Sequence, residues 1–252
     1  MRKDNTQKVA LVTGAGSGIG EAIAKRFARD GMSVGVLDIN LESAERVVRE
    51  IYESGGKAIA LKASVADKNQ VDDATDMLRA QFGPISVLVN NAAAEAFAPF
   101  NEITEAEIDR VFNVNLKGVF FVSQAVLPDM EAAGWGRIVN IGAYGAQLVE
   151  GYMGHYYASK GGVMTLTRCM AAEFGPKGIT VNSVSPGFID TPMSRRAIDS
   201  GELADPAAIY SRYPVPRLGK PEELAAACAF FASEDAGYVT AQLLGVNGGA
   251  VG

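Results

Sequence analysis

The chain has 252 residues, 48% hydrophobic and 21% charged, with a formal net charge of −6. This is the composition of a folded globular protein, and the acidic balance excludes nucleic acid and anionic membrane as main partners, because both select basic surface. No apolar run approaches the ~18 residues of a membrane span, and the polar residues 1–7, followed by the short apolar stretch 9–12, do not read as a signal peptide; a cytoplasmic location is expected.

In chain order, a β-branched run at 8–12 predicts the first strand. Residues 19–28 then place apolar side chains at three- and four-residue spacing, which predicts a helix ended by Gly31 ahead of a second strand at 33–37. Asn40 is placed to cap a helix over 41–51, closed by Gly55 and Gly56 before a third strand at 58–61. Asp67 caps the helix that contains 71–82, and Gly83-Pro84 ends it before a fourth strand at 85–89. Further strands are expected at 137–141, 179–184 and 242–246. Most of these runs are continuously apolar, as strands covered on both faces should be. Strand–helix alternation implies right-handed crossovers, so the expected fold is α/β: one doubly wound domain over 1–252, a seven-stranded parallel sheet with helices on both faces. Residues 188–216 break the rhythm, carry Pro192, Pro206, Pro214 and Pro216, and suggest a lid over a site.

After the first strand, Gly14, Gly18 and Gly20 form G-x-x-x-G-x-G. Glycines there let the backbone turn sharply and approach a pyrophosphate seated on the next helix N-terminus; a tight turn without a ligand is the other reading. Asp38 ends the second strand, where a carboxylate can accept both adenosine-ribose hydroxyls and would repel a 2′-phosphate. Neither Ala15 nor Ile39 is basic, so NAD is favoured over NADP. Tyr156 and Lys160 form Y-x-x-x-K in a helical pattern, which puts both on one face. An ammonium near a phenol favours the phenolate, so Tyr156 is expected to have a lowered pKa and to act as acid and base.

Taken with Asn90-Asn91-Ala92-Ala93, Asn113-Val114-Asn115, Pro186-Gly187 and Val246-Asn247-Gly248-Gly249, these motifs resemble the short-chain dehydrogenase/reductase family from about Val9 to Gly249. The resemblance implies an NAD(H)-dependent oxidoreductase, with a Rossmann-like fold, that interconverts a secondary alcohol or hydroxyacyl group and a ketone. It implies dinucleotide contacts from Gly14, Ser17, Gly18, Ile19, Asp38, Ile39, Ser64, Val65, Asn91, Ala92, Ala93, Tyr156, Lys160, Pro186, Gly187, Ile189 and Thr191. Lys160 would also hold the nicotinamide ribose, and Asn115 would position a water linking that lysine to solvent. A small-molecule substrate and a homotetramer, built through 112–130 and 157–174, are the implied partners.

Three positions depart from the family pattern. Ala93 stands where a glycine is usual, and Ser64 where an aspartate is usual, both modest changes. At the end of the fifth strand, Ala143 occupies the place of a serine that polarises the substrate carbonyl. Three readings stay open there: an engineered Ser-to-Ala replacement, a natural residue with Tyr144, Gln147 or a water as donor, or an NAD-binding protein with little or no turnover.

Other residues read more plainly. Tyr152 and Met153 either wall the substrate pocket or sit in a turn. His155 is expected to face solvent or an interface, and Trp135 to be a packing or loop residue. Arg195 and Arg196 are solvated charges or contacts for an anionic substrate such as a coenzyme A phosphate. Cys169 and Cys228 are expected as buried free thiols, and one histidine with two cysteines in no ligating pattern gives no metal site.

Overall fold

The computed structural model describes residues 8–95, 97–146, 151–201, 207, 210–211 and 213–250. Seven strands, β1 (Val9–Thr13), β2 (Ser33–Asp38), β3 (Lys57–Lys62), β4 (Val87–Asn90), β5 (Gly136–Ile141), β6 (Ile179–Pro186) and β7 (Leu243–Val246), form one sheet in the order β3-β2-β1-β4-β5-β6-β7. Every adjacent pair is parallel. Between and after them lie α1 (Gly18–Arg29), α2 (Leu41–Glu53), α3 (Lys68–Phe82), α4 (Glu105–Phe112), α5 (Gly118–Ala133), α6 (Gly154–Phe174), α7 (Pro192–Asp199) and α8 (Pro221–Phe231). All seven expected strands are present, and all three helices given bounds, with no end moved by more than three residues.

Alternation along each strand divides the core. On β1, Ala10 and Val12 join a cluster with Phe27, Val47 and Leu224, from α1, α2 and α8; Val9 and Leu11 join another with Leu78, Val126 and Met170, from α3, α5 and α6. Both faces are covered, which is why the strands read as unbroken apolar runs. Burial of each large side chain contributes ~1.5–3 kcal/mol relative to exposure.

The caps behave as expected. The Ser43 amide donates to the Asn40 side chain at 3.1 Å, and the Asp67 carboxylate accepts from the Asn69 and Gln70 amides at 3.0 and 3.2 Å. One stretch was not anticipated: Glu105–Ala133 has the length and mean hydropathy of a membrane span. Val111, Val119, Val122, Val126 and Met130 instead bury apolar side chains of that stretch within the protein. Its middle, Asn113–Lys117, is a π-helical turn, a feature that recurs at functional sites.

Connectivity runs outward from β1 to β2 and β3, then restarts on the other side with β4. This reversal opens a crevice beyond the carboxyl ends of β1 and β4, the usual ligand position in such sheets. A buried polar ladder lies below it. Asn90 pairs in register with Asn140 and donates to its side chain at 2.9 Å, and Asn140 in turn donates to Thr167 on α6 at 2.9 Å. These bonds tie together β4, β5 and α6.

Candidate active site

A cleft of about 460 Å³ occupies the crevice. Of the expected contacts, Gly14, Ser17, Gly18, Ile19, Asp38, Ile39, Ser64, Val65, Asn91, Ala92, Ala93, Tyr156, Lys160, Pro186 and Thr191 line it. The glycine loop is held tightly. A Cβ on Gly14 would lie 2.8 Å from the Ala92 Cα, one on Gly16 would lie 2.8 Å from the Asp38 carboxylate, and one on Gly20 would overlap the Gly14 carbonyl. Asn91 fastens the loop by donating to the Thr13 and Gly14 carbonyls at 2.9 and 3.0 Å. Ser17 precedes α1 without a side-chain capping bond, which leaves the first-turn amides for an anion.

Asp38 accepts from the Gly16 amide at 2.8 Å and from the Asn40 amide at 2.9 Å, so its carboxylate is fixed at the cleft edge. The guanidinium that touches the glycine loop is committed elsewhere: Arg46 pairs with Glu21 and Glu50 and donates to the Gly16 carbonyl at 3.0 Å. A glycine cradle, a free helix N-terminus and a placed carboxylate together fit a dinucleotide, with the negative charge where an adenosine ribose would sit.

Tyr156 and Lys160 rise from α6 on one side of the cleft. Lys160 is buried, its Nζ donates to the Ile141 carbonyl at 2.8 Å, and it lies 6.0 Å from the Tyr156 ring centroid. Burial pushes its pKa down to about 8. The expected lowering at Tyr156 is not found. Burial raises the phenol, and the nearby Glu95 carboxylate adds to the effect. A phenolate surrounded by protein loses more hydration than a cation at that separation returns.

Asn115 sits in the π-turn and is buried. Its side chain accepts from the Ala94 amide at 2.7 Å and donates to the Ala94 carbonyl and the Ser159 hydroxyl, each at 3.0 Å. The bonds described for this side chain brace the chain after β4 against α6. Ala143 is 7% exposed just past β5 and offers no donor. The Tyr144 hydroxyl accepts from Tyr213 at 2.9 Å, with the two rings edge to face. Gln147 lies outside the described residues.

Other expected residues lie outside the cleft lining or differ in burial. Tyr152 is 68% exposed in a turn with a left-handed φ of 66°, in keeping with the turn reading of that stretch, and Met153 is buried; neither is among the residues that line the cleft. Of the expected dinucleotide contacts, Gly187 and Ile189 are not among the lining residues: the Ile189 side chain packs in the core, and Gly187 lies against Asn247, whose Cα would lie 2.6 Å from an added Cβ. His155 is buried, not solvent-facing, and both ring nitrogens lack partners among the described residues; burial lowers its pKa. Packing of α4 against α6 covers it, a tertiary contact with no trace in the spacing. Cys228 is buried but Cys169 is exposed, because it falls on the outer face of α6 beside Arg168. Trp135 packs as expected, donating to Glu234 at 3.1 Å.

Polar and flexible lining residues that the sequence reading did not single out include Glu95, Arg110 and Met193. Glu95 left a signal, as the lone charge in an alanine-rich stretch. Arg110 was invisible as one charge among many on α4. Of the two arginines on α7, Arg195 pairs with Asp190 at 2.6 and 2.9 Å, while Arg196 lines the cleft with Met193. Among the described residues no cluster of His, Cys, Asp and Glu could hold a metal ion.

A parallel sheet of this order, a glycine loop at its switch point and a tyrosine–lysine pair on the facing helix define a dinucleotide-dependent oxidoreductase. Comparison with known proteins agrees. A family model described as Enoyl-(Acyl carrier protein) reductase matches residues 14–251. The chain is 40% identical over 244 residues to a 3-oxoacyl-(acyl-carrier-protein) reductase of Thermotoga maritima, covering 97% of this chain and 98% of the relative. It is 41% identical to a cyclohexanol dehydrogenase of an Acinetobacter species, with 96% and 94% covered. The crystal structure of a levodione reductase superposes with a TM-score of 0.93 at 35% identity, covering 97% of each chain. The chain belongs to the short-chain dehydrogenase/reductase family, whose members here interconvert hydroxyl and carbonyl groups with a nicotinamide cofactor.

Proposed function

We propose that this chain is an NAD(H)-preferring oxidoreductase that interconverts a secondary alcohol and a ketone, with Tyr156 as the proton donor and acceptor. The observation that carries this reading is the placement of Tyr156 and Lys160 on the wall of the same cleft that holds the glycine loop and Asp38. A bound nicotinamide supplies or accepts the hydride. The chain's own residues handle the proton and the geometry. With its pKa raised by burial, Tyr156 stays protonated near neutrality, which suits it to give a proton to a carbonyl oxygen. Lys160, anchored on the Ile141 carbonyl, keeps a cation beside the reacting oxygen below about pH 8. Asp38 disfavours a 2′-phosphate by like charge, and the pairing of Arg46 with two carboxylates leaves that guanidinium no free charge to offset this.

Residues 188–216 form the lid in this reading, of which 202–206, 208–209 and 212 lie outside the described residues, and the whole chain acts as one domain. Exposed Phe120 on α5 and Leu244 on the edge strand β7 support self-association as a homotetramer, and a cytoplasmic location accords with the acidic surface.

A second reading, NAD binding with little turnover, is favoured by Ala143, beside which the Tyr144 hydroxyl already bonds to Tyr213. One experiment separates the two. NADH oxidation is followed with a panel of cyclic and linear ketones for the native chain and for Tyr156→Phe. The expected outcome is turnover that falls ~10²–10⁴-fold in the variant with NADH affinity retained. Ordinary activity in Tyr156→Phe would refute the mechanism, and tight NADH binding without turnover of any ketone would favour the second reading.

A further inference from the structure

The tyrosine end of the cleft carries a carboxylate that none of the motifs accounts for. Glu95 lines the cleft together with Tyr156 and Lys160, and the backbone there is fixed from two directions. Asn115, in the π-turn, holds both the amide and the carbonyl of Ala94, at 2.7 and 3.0 Å. Arg110, on α4, donates to the Glu95 carbonyl at 3.0 Å. Three hydrogen bonds from two elements thus pin two consecutive residues, so the Glu95 side chain starts from a defined place on the wall.

We infer that Glu95 is a specificity-determining residue, whose carboxylate accepts a hydrogen bond from a hydroxyl carried near the reacting carbon of the substrate and repels a carboxylate at that place. This inference deepens the oxidoreductase reading and rests on it. An ionised carboxylate only accepts hydrogen bonds, so it matches a hydroxyl and offers nothing to an alkyl group or to another anion. A site built to bond a hydroxyl discriminates against the analogue lacking it more strongly than an apolar pocket discriminates by size. Two carboxylates close together in a partly desolvated cleft also disfavour each other's ionisation. The same charge acts on Tyr156, where it opposes phenolate formation.

The test compares kcat/KM for a plain cyclic ketone, its 2-hydroxy derivative and a ring-carboxylate derivative, in the native chain and in Glu95→Gln. The expected native order is hydroxy ketone first and carboxylate last. Glu95→Gln should lose about tenfold of the hydroxy preference, mainly through KM, and gain about tenfold on the carboxylate. It should also move the alkaline rise of alcohol oxidation to lower pH, an effect that a merely structural residue would not produce. Should Glu95→Gln fold poorly, Glu95→Asp keeps the charge and shortens its reach, so rejection of the carboxylate should persist while the hydroxy preference weakens. Turnover with substrate ratios unchanged within about twofold in these variants would overturn the inference alone. No turnover of any of the three ketones, even after Ala143→Ser, would overturn the oxidoreductase reading and this inference with it.

Discussion

The two halves of the cleft are built by different means. The glycine-loop half, from Thr13 to Asp38, comes mostly from one β–α–β unit, and its geometry is backbone geometry: glycines where a Cβ would collide, and main-chain amides on Asp38. The tyrosine half is assembled from side chains on separate elements, with Glu95 after β4, Arg110 on α4, Tyr156 and Lys160 on α6, and Met193 and Arg196 on α7. A half made of one local unit leaves little room for variation. A half made of distant side chains can change its chemistry one residue at a time, as Ala143 and Glu95 illustrate.

Substitutions can break or sharpen that contrast. The largest change is expected at Ala143. If the tyrosine half lacks only a carbonyl-polarising donor, Ala143→Ser should raise kcat by ~10²–10³ while NADH affinity holds, read from steady-state rates and a fluorescence titration. No gain at all would mean that the donor is supplied elsewhere, or that the chain does not turn over. In the other half, Asp38→Ala should raise the KM for NAD by about tenfold, a loss of ~1.4 kcal/mol, and narrow the preference over NADP, with kcat little changed. An unaltered cofactor ratio would show that Asp38 serves only the loop.

The smallest effect concerns His155, next to Tyr156. Burial lowers its pKa, the charge of Arg110 acts in the same direction, and Glu107 opposes them. The unfolded chain therefore takes up this proton first. The neutral imidazole costs nothing above the ordinary value of 6.5, and stability falls as pH drops below it toward the folded value. Urea unfolding between pH 7.5 and 5 should show a flatter decline for His155→Leu than for the native chain. Parallel slopes would mean that His155 is accessible to solvent in the folded state.

Much of the fold was legible because its signals are local. Continuous apolar runs marked strands covered on both faces, and Asn40 and Asp67 capped the helices they precede. The glycine spacing pointed to the loop, and Y-x-x-x-K put Tyr156 and Lys160 together, because residues at i and i+4 must share a helix face. The failures have a common cause. Cys169 fell on the outer face of α6, His155 was covered by α4, and the Tyr156 pKa rose where the residue pairing alone suggested a fall. Each depends on what surrounds a residue.

The amino-acid order by itself determined the strand–helix rhythm, the caps, the glycine turn and the tyrosine–lysine face, since each follows from backbone sterics or helix periodicity within a few neighbouring residues. Tertiary structure alone decided that Asn115 braces Ala94, that Glu95 and Arg196 enter the cleft, and that burial pushes the phenol's pKa up and not down. The physical reason is desolvation and long-range contact: what a charge costs, and what a side chain can reach, are set by groups far away along the chain and close in space.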